Sequence, residues 1–208
     1  MSRRKIICTV TNDLTHDRRM HRICTTLSGA GFEVELVGRR LPHSQPLPRR
    51  AFRQVRLRCF FHRGKLFYLE YNLRLFLYLM PRRAGALCAV DLDTLCAGWL
   101  AARLRGWKLV YDAHEFFQEV PEVVGRPFTQ RVWEGVARAL IPRVDAAYTV
   151  SASLAEELSK HYGVSFGLVR NLPPRPALPT HAEKHHPPVL LYQGVLNEGR
   201  GLEEAIEA

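Results

Sequence analysis

The sequence predicts a doubly wound α/β domain built on a parallel sheet, and three observations carry that expectation. Short apolar runs alternate with helix-length segments along most of the chain. Several of those runs, such as Leu109-Val110-Tyr111 and Leu87 to Val90, have no polar face, as strands buried on both sides require. Polar residues with chemistry to offer stand directly after the runs, as in V-Y-D-A-H-E at residues 110 to 115. An open parallel sheet gathers its ligands at those strand ends.

In chain order, Lys5 to Thr11 reads as a strand and Asp17 to Ala30 as a helix closed by Gly29 and Gly31. Phe32 to Val37 and Gln54 to Phe60 read as the next two strands, and Leu66 to Met80 as a very apolar helix stopped by Pro81. Leu87 to Val90 is a short strand, after which Asp93 is placed to cap a helix that runs to Arg105 and ends before Gly106. Lys108 to Tyr111 is a strand, and Phe128 to Ile141 a helix stopped by Pro142. Ala146 to Val150 is a strand. Ser153 and Glu156 have the spacing of a capping box for a helix to His161, and Phe166 to Val169 is the last strand of the series.

Six of the 13 prolines fall between Leu172 and Pro188. Proline fixes φ and favours extended backbone, so this reads as a stiff linker between domains. Beyond it Val189 to Tyr192 reads as a strand, Gln193 to Gly201 as a glycine-containing turn and Leu202 to Ala208 as a helix. The expected division is a Rossmann-like first domain over 1–171, a linker over 172–188, and the start of a second, truncated α/β domain over 189–208.

Composition narrows the setting. The 208 residues are 47% hydrophobic, enough to bury a core. The five cysteines are odd in number, lack C-x-x-C spacing and sit mostly inside apolar runs, which points to a reducing cytosol. The N-terminus lacks the apolar length of a signal sequence, and no segment has the roughly 20 apolar residues of a membrane span. Net charge is +10. Between Arg39 and Arg74, nine arginines and Lys65 stand against the single acid Glu70. Such a block favours an anionic partner.

Asn12 and Asp13 after the first strand, Asp91 and Asp93 after another, and Asp112, His114 and Glu115 after a third are the cleft candidates. Ser151 and Ser153 are explained by helix capping alone. A histidine between two carboxylates can have its tautomer fixed by one of them while its other nitrogen faces a ligand, so His114 is the candidate catalytic group. Ligation of a metal by Asp112 and His114 with His16 or His21 finds no supporting motif spacing. In Y-Q-G-V-L-N-E-G-R-G-L, residues 192 to 202, glycines at a helix mouth and Arg200 outline a grip for a diphosphate.

Taken together, T-N-D-L, V-Y-D-A-H-E, D-A-A-Y-T-V-S, V-R-N-L-P and Y-Q-G-V-L-N-E-G-R-G-L-E-E-A-I-E-A resemble the family 4 retaining glycosyltransferases of the GT-B fold. The resemblance implies an N-terminal acceptor domain, a C-terminal nucleotide-sugar domain and transfer in the cleft between them without an obligatory metal or other cofactor. It places His114 beside the donor sugar and Arg200, with Gly194 and Gly201, on the donor diphosphate. Asn12, Asp13, Asp93, Asp112 and Glu115 become acceptor or cleft residues. Three departures stand out. The first loop lacks the family's glycine pair, Val195 replaces a common arginine, and the paired glutamates of the donor site would lie beyond residue 208.

The expected partners are a nucleotide-sugar donor and a glycan or lipid-linked acceptor, in cell-envelope or surface glycan synthesis, with no nucleic acid. The expected location is the cytoplasm, at the inner face of the plasma membrane, where residues 39–83 would touch anionic lipid. For the apolar helix within that segment, bilayer contact and core packing both stand open. The competing function class is a non-catalytic basic module binding nucleic acid or anionic membrane. A metal-dependent hydrolase is a more distant alternative. The isolated 208-residue chain is expected to transfer no sugar.

Overall fold

The computed structural model describes residues 5–115, 126–172, 189, 191–192 and 201–207. The chain divides into two compact units, Met1–Leu172 and Pro173–Ala208.

The first unit is a seven-stranded parallel sheet in the order β3-β2-β1-β4-β5-β6-β7. Its strands are β1 (Lys5–Thr9), β2 (Glu33–Arg40), β3 (Arg53–Arg58), β4 (Ala86–Val90), β5 (Lys108–Ala113), β6 (Ala146–Thr149) and β7 (Phe166–Leu168). Its helices are α1 (Arg18–Gly29), α2 (Gly64–Leu79), α3 (Leu92–Arg105), α4 (Pro127–Leu140) and α5 (Ala152–Tyr162).

Side chains alternate across each strand, so the sheet carries two cores. Ile7, Leu87, Ala89, Leu109 and Tyr111 join the core built with α2 to α5. Cys8, Leu36, Cys88 and Val90 join a smaller core with Met20 and Cys24 of α1. Three of the cysteines, Cys8, Cys24 and Cys88, are buried as free thiols in that second core. No described helix is long and apolar enough to cross a membrane.

Helix boundaries follow their caps. The Asp17 carboxylate accepts from the Met20 backbone at 2.9 Å and opens α1. Gly106 and Gly163 close α3 and α5 in the left-handed conformation. Two expected caps are corrected. Ser151, not Ser153, caps α5, because the helix begins at Ala152 and Leu154 N–H reaches the Ser151 hydroxyl at 3.3 Å. Asp93 does not cap α3 either. The helix begins at Leu92, so Asp93 already lies in its first turn, and its carboxylate is engaged elsewhere.

The apolar helix α2 has two apolar faces. Phe67, Tyr71, Leu75 and Leu79 are buried against the sheet, while Leu66, Leu69, Leu73 and Leu77 are 56–69% exposed on the opposite side. Tyr68, Phe76 and Tyr78 also pack on the core, so core packing leaves the four exposed leucines unaccounted for.

In the second unit α6 (Leu202–Glu207) follows Gly201. The described residues of the expected strand, Val189, Leu191 and Tyr192, are exposed and outside any strand. A parallel strand needs a neighbouring strand, and none is found among the described residues of this unit. The linker at 173–188 and the turn at 193–200 lie outside the described residues.

The loop after β1 is held by shape. Leu14 is fully buried at φ +66°, and a Cβ on Gly38 of β2 would stand 2.5 Å from the Asn12 carbonyl and 2.6 Å from Leu14. Only glycine lets the loop lie on β2. Gly38→Ala is expected to destabilise the domain by about 1–3 kcal/mol, the cost of overpacking, measured by denaturant titration. An unchanged midpoint would show that the loop can shift freely.

Candidate functional site

Strand order reverses between β1 and β4. From β1 the chain moves outward to β2 and β3, and from β4 it moves the other way to β5, β6 and β7. The crevice at the carboxyl ends of such a pair is where doubly wound sheets bind ligands. Here it collects Thr11 from the loop after β1, Asp91 and Asp93 from the junction of β4 and α3, and His114 from the end of β5.

Asp91 is the organiser. Its backbone takes φ +56°, unusual for a residue with a Cβ, and its N–H donates to the Asp112 carbonyl at 2.9 Å. One carboxylate oxygen accepts the His114 backbone N–H at 3.1 Å, and the other lies 3.1 Å from His114 Nδ1. This double contact fixes the ring and puts a proton on Nδ1. Nε2 is buried and has no partner among the described residues. Burial opposes the imidazolium, but the hydrogen bond and charge of Asp91 outweigh it, so the histidine pKa is raised.

Asp93 lies beside this pair in a buried position. Thr11 Oγ1 donates to its carboxylate at 2.5 Å, and Asn72 of α2 donates to its backbone carbonyl at 2.8 Å. Burial and the charge of Asp91 push the Asp93 pKa up to about 7, against the opposing hydrogen bond from Thr11. The crevice thus sets Asp93, whose pKa is raised to about 7, beside His114, whose pKa is also raised, and groups shifted by their surroundings gather at functional sites.

The other sequence candidates are placed differently. Asp112 is fully buried on the α1 side, where Arg19 donates to one carboxylate oxygen at 2.6 Å and Tyr148 to the other at 2.8 Å. Burial raises its pKa, with Arg19 pulling against it. Its role is to hold α1 on the sheet, and removing one partner of such a buried pair costs about 3–5 kcal/mol. Asp112 therefore does not fix the His114 tautomer. His114 has left the strand and turns to β4, whereas Asp112 points into the smaller core. Glu115 is exposed.

Asn12 and Asp13 are turn residues. Asn12 Oδ1 accepts from Leu14 N at 2.9 Å and its amide donates to Asp17 at 2.6 Å. Asp13 accepts from Thr15 and Ser44 and faces Arg56. Partial burial is outweighed by those contacts, so its pKa is lowered. Gly194 and Arg200 lie outside the described residues, and Gly201 takes φ +68° ahead of α6. Among the described residues no group of three His, Cys, Asp or Glu side chains is gathered as metal ligands would be.

Comparison with known proteins decides the family. Residues 17–174 match the family model described as Glycosyltransferase Family 4. The chain belongs to this family. No curated protein sequence matches. Among solved structures, sucrose-phosphate synthase from Thermosynechococcus elongatus superimposes with a TM-score of 0.63 at 15% identity, covering 81% of this chain and 48% of that one. Anabaena HepE in complex with UDP-glucose gives 0.55 at 14% identity, covering 80% and 43%. UDP-N-acetylglucosamine 2-epimerase from Rickettsia bellii gives 0.51 at 11% identity, covering 79% and 44%.

The chain thus spans slightly under half the length of these proteins. The shared feature is the N-terminal Rossmann-like domain of the GT-B fold. Because an epimerase shares it, the fold alone does not name the reaction, and the family match carries that weight.

A carboxyl whose pKa is higher folded than unfolded binds its proton more tightly in the folded state. Its contribution is present at low pH and lost as pH rises through the folded value. For Asp93, with about 7 against an unfolded value of 3.8, the loss between pH 5 and 7 is on the order of 2 kcal/mol. Asp93→Asn is expected to flatten that part of the stability profile, so that the variant gains on the wild type towards pH 8. Parallel denaturation profiles would place the Asp93 pKa near its ordinary value.

Proposed function

We propose that this chain is the acceptor-side portion of a glycosyltransferase that moves a sugar, of hexosyl or related type, from a nucleotide-sugar donor to an acceptor, with retention and without an obligatory metal. The observation that carries the reading is the Asp91–His114 pair at the switch point of a domain whose residues match Glycosyltransferase Family 4. The UDP-glucose bound by Anabaena HepE supports a nucleotide-sugar donor.

In this reading Asp91 holds the proton on Nδ1 and orients the ring, and Nε2 meets a hydroxyl of the donor sugar. A group held so rigidly loses little freedom when the transition state forms. The departing nucleotide diphosphate is balanced by Arg200 and by backbone N–H groups near Gly194 and Gly201. By itself the 208-residue chain transfers no sugar, because the donor site needs residues of the second domain.

The exposed leucine stripe supports an acceptor at a membrane. Leu66, Leu69, Leu73 and Leu77 recur at three- and four-residue spacing, with exposed Arg63 and Lys65 at one end of α2 and exposed Arg83 beyond the other. The enzyme works in the cytoplasm at the inner face of the plasma membrane, on a lipid-linked or surface glycan, and binds no nucleic acid.

Two measurements test this. In protein that includes the donor domain, His114→Ala is expected to lower kcat by about a hundredfold or more while nucleotide affinity stays near the wild type. Asp91→Asn is expected to give a smaller loss in the same parameter. An unchanged kcat makes His114 structural. Wild-type chain is expected to bind anionic vesicles, less as salt rises, and Leu69→Gln with Leu73→Gln to weaken that binding. Equal binding to neutral and anionic vesicles, or none, removes the membrane claim.

A further inference from the structure

At the carboxyl ends of β2 and β3 the sheet does something costly. Arg40 and Arg58 are register partners on these adjacent strands, so two like charges lie directly opposite one another. Such pairs destabilise a sheet unless something neutralises them. Among the described residues neither arginine meets a carboxylate.

The only acid in this stretch of chain is already committed. Glu70 accepts from the backbone N–H groups of Phe60 and Phe61 at 2.8–3.0 Å and from Arg74 Nε at 2.6 Å. Burial pulls its pKa up, but these hydrogen bonds and the Arg74 charge outweigh it and hold the carboxyl below its usual range. Arg40, Arg58, Arg74 and His62 line a single pocket of about 560 Å³ with Leu41 and Phe60 among its apolar neighbours. His62 Nδ1 is buried and has no partner among the described residues. Three guanidinium groups thus surround a cavity with one carboxylate near it, and that carboxylate is fully used.

The apolar surroundings are equally particular. Phe60 is 82% exposed, and the Arg74 guanidinium lies 4.9 Å from its ring centroid. Arg74 itself sits on α2 between Leu73 and Leu77 of the exposed stripe. The cationic pocket and the leucine face therefore meet at Arg74 and Phe60.

We propose that this pocket binds the phosphate group of an amphiphile, with Arg40 and Arg58 as its principal ligands and the apolar tail along Phe60 and the α2 leucines. Guanidinium groups recognise phosphate through paired hydrogen bonds, and a doubly charged phosphate monoester would relieve the repulsion between the two strands. The inference deepens the glycosyltransferase reading by making the acceptor class a phosphate-bearing lipid. It rests on that reading for the word acceptor, whereas binding itself does not depend on it.

The test uses the 208-residue chain, needs no donor and measures no transfer. Phosphatidylcholine vesicles carry either phosphatidic acid or phosphatidylserine at matched surface charge. Wild-type chain is expected to prefer phosphatidic acid by about tenfold, the worth of one charge-assisted contact. Arg40→Lys with Arg58→Lys keeps the charge but loses the paired geometry, and is expected to abolish the preference while leaving general anionic binding and thermal stability near wild type. Glycerol 3-phosphate is expected to compete only at far higher concentration, because it lacks the tail.

Equal affinity for the two lipids, or a lysine variant that keeps the preference, overturns the proposal. Competition by glycerol 3-phosphate as effective as that by the lipid overturns its amphiphile part and leaves a soluble phosphate site. Failure of sugar transfer in longer protein would count against the glycosyltransferase reading alone, since lipid selectivity is read without it.

Discussion

β1 and β4 are bonded neighbours whose following helices lie on opposite faces of the sheet. α1 packs with Cys8 and Leu36 on one side, and α3 with Leu87 and Ala89 on the other. Right-handed crossovers force this divergence once the chain proceeds in both directions from the centre. No helix can then cover the carboxyl ends of the two strands, and a crevice opens there. Thr11, Asp91, Asp93 and His114 meet in it because each is the first or second polar residue past a strand end. The topology brings together residues up to 103 positions apart that no local pattern in the sequence connects.

That explains which parts of the site were legible. Strands such as Leu109 to Tyr111 announce themselves by lacking a polar face, and the crossover pattern follows from their alternation with helices. His114 could be singled out because a histidine at a strand end is chemically conspicuous. Its partner could not. Neighbours in sequence suggested Asp112 or Glu115, yet alternation turns Asp112 towards Arg19 and Tyr148, while the contact to Asp91 crosses to another strand. The positive φ of Asp91, which a glycine would have signalled, is invisible in an aspartate. Asp93 likewise looked like a cap, because nothing in the sequence reveals that the helix starts one residue before it. Arg19 was hidden for another reason. A cation in the buried stripe of α1 reads as a break in the pattern until its counter-charge is located across the sheet.

The two ends of the sheet treat charge in opposite ways. At the amino end the buried Glu35 carboxylate receives Lys5 at 2.7 Å and the Tyr78 hydroxyl at 2.6 Å, with Arg53 at 3.8 Å. Lys108 meets Asp145 at 2.6 Å, and Asp145 also accepts the Leu109 N–H at 2.9 Å. Each acid there has its cations and donors, and the pKa values of Glu35 and Asp145 are lowered accordingly, for Glu35 against its burial. Groups paired in this way hold strands in register and ask for nothing further.

At the carboxyl end pairing is incomplete: Asp112 has Arg19 and Asp13 faces Arg56, but other charges are left uncompensated. Asp93 is buried with a hydroxyl as its side-chain partner and Asp91 beside it, and its pKa rises instead of falling. Arg40 and Arg58 face one another across β2 and β3. A chain that pairs its charges so fully at one edge has the means to do so at the other. The like charges at the arginine pair are a cost to the isolated domain that an anion can offset, whereas the buried Nε2 of His114, without a partner among the described residues, asks for a hydrogen bond, which in the proposed reading a sugar hydroxyl makes. Because the two deficits lie at different strand ends, the switch point and the outer strands β2 and β3, they describe two separate demands on whatever occupies this edge.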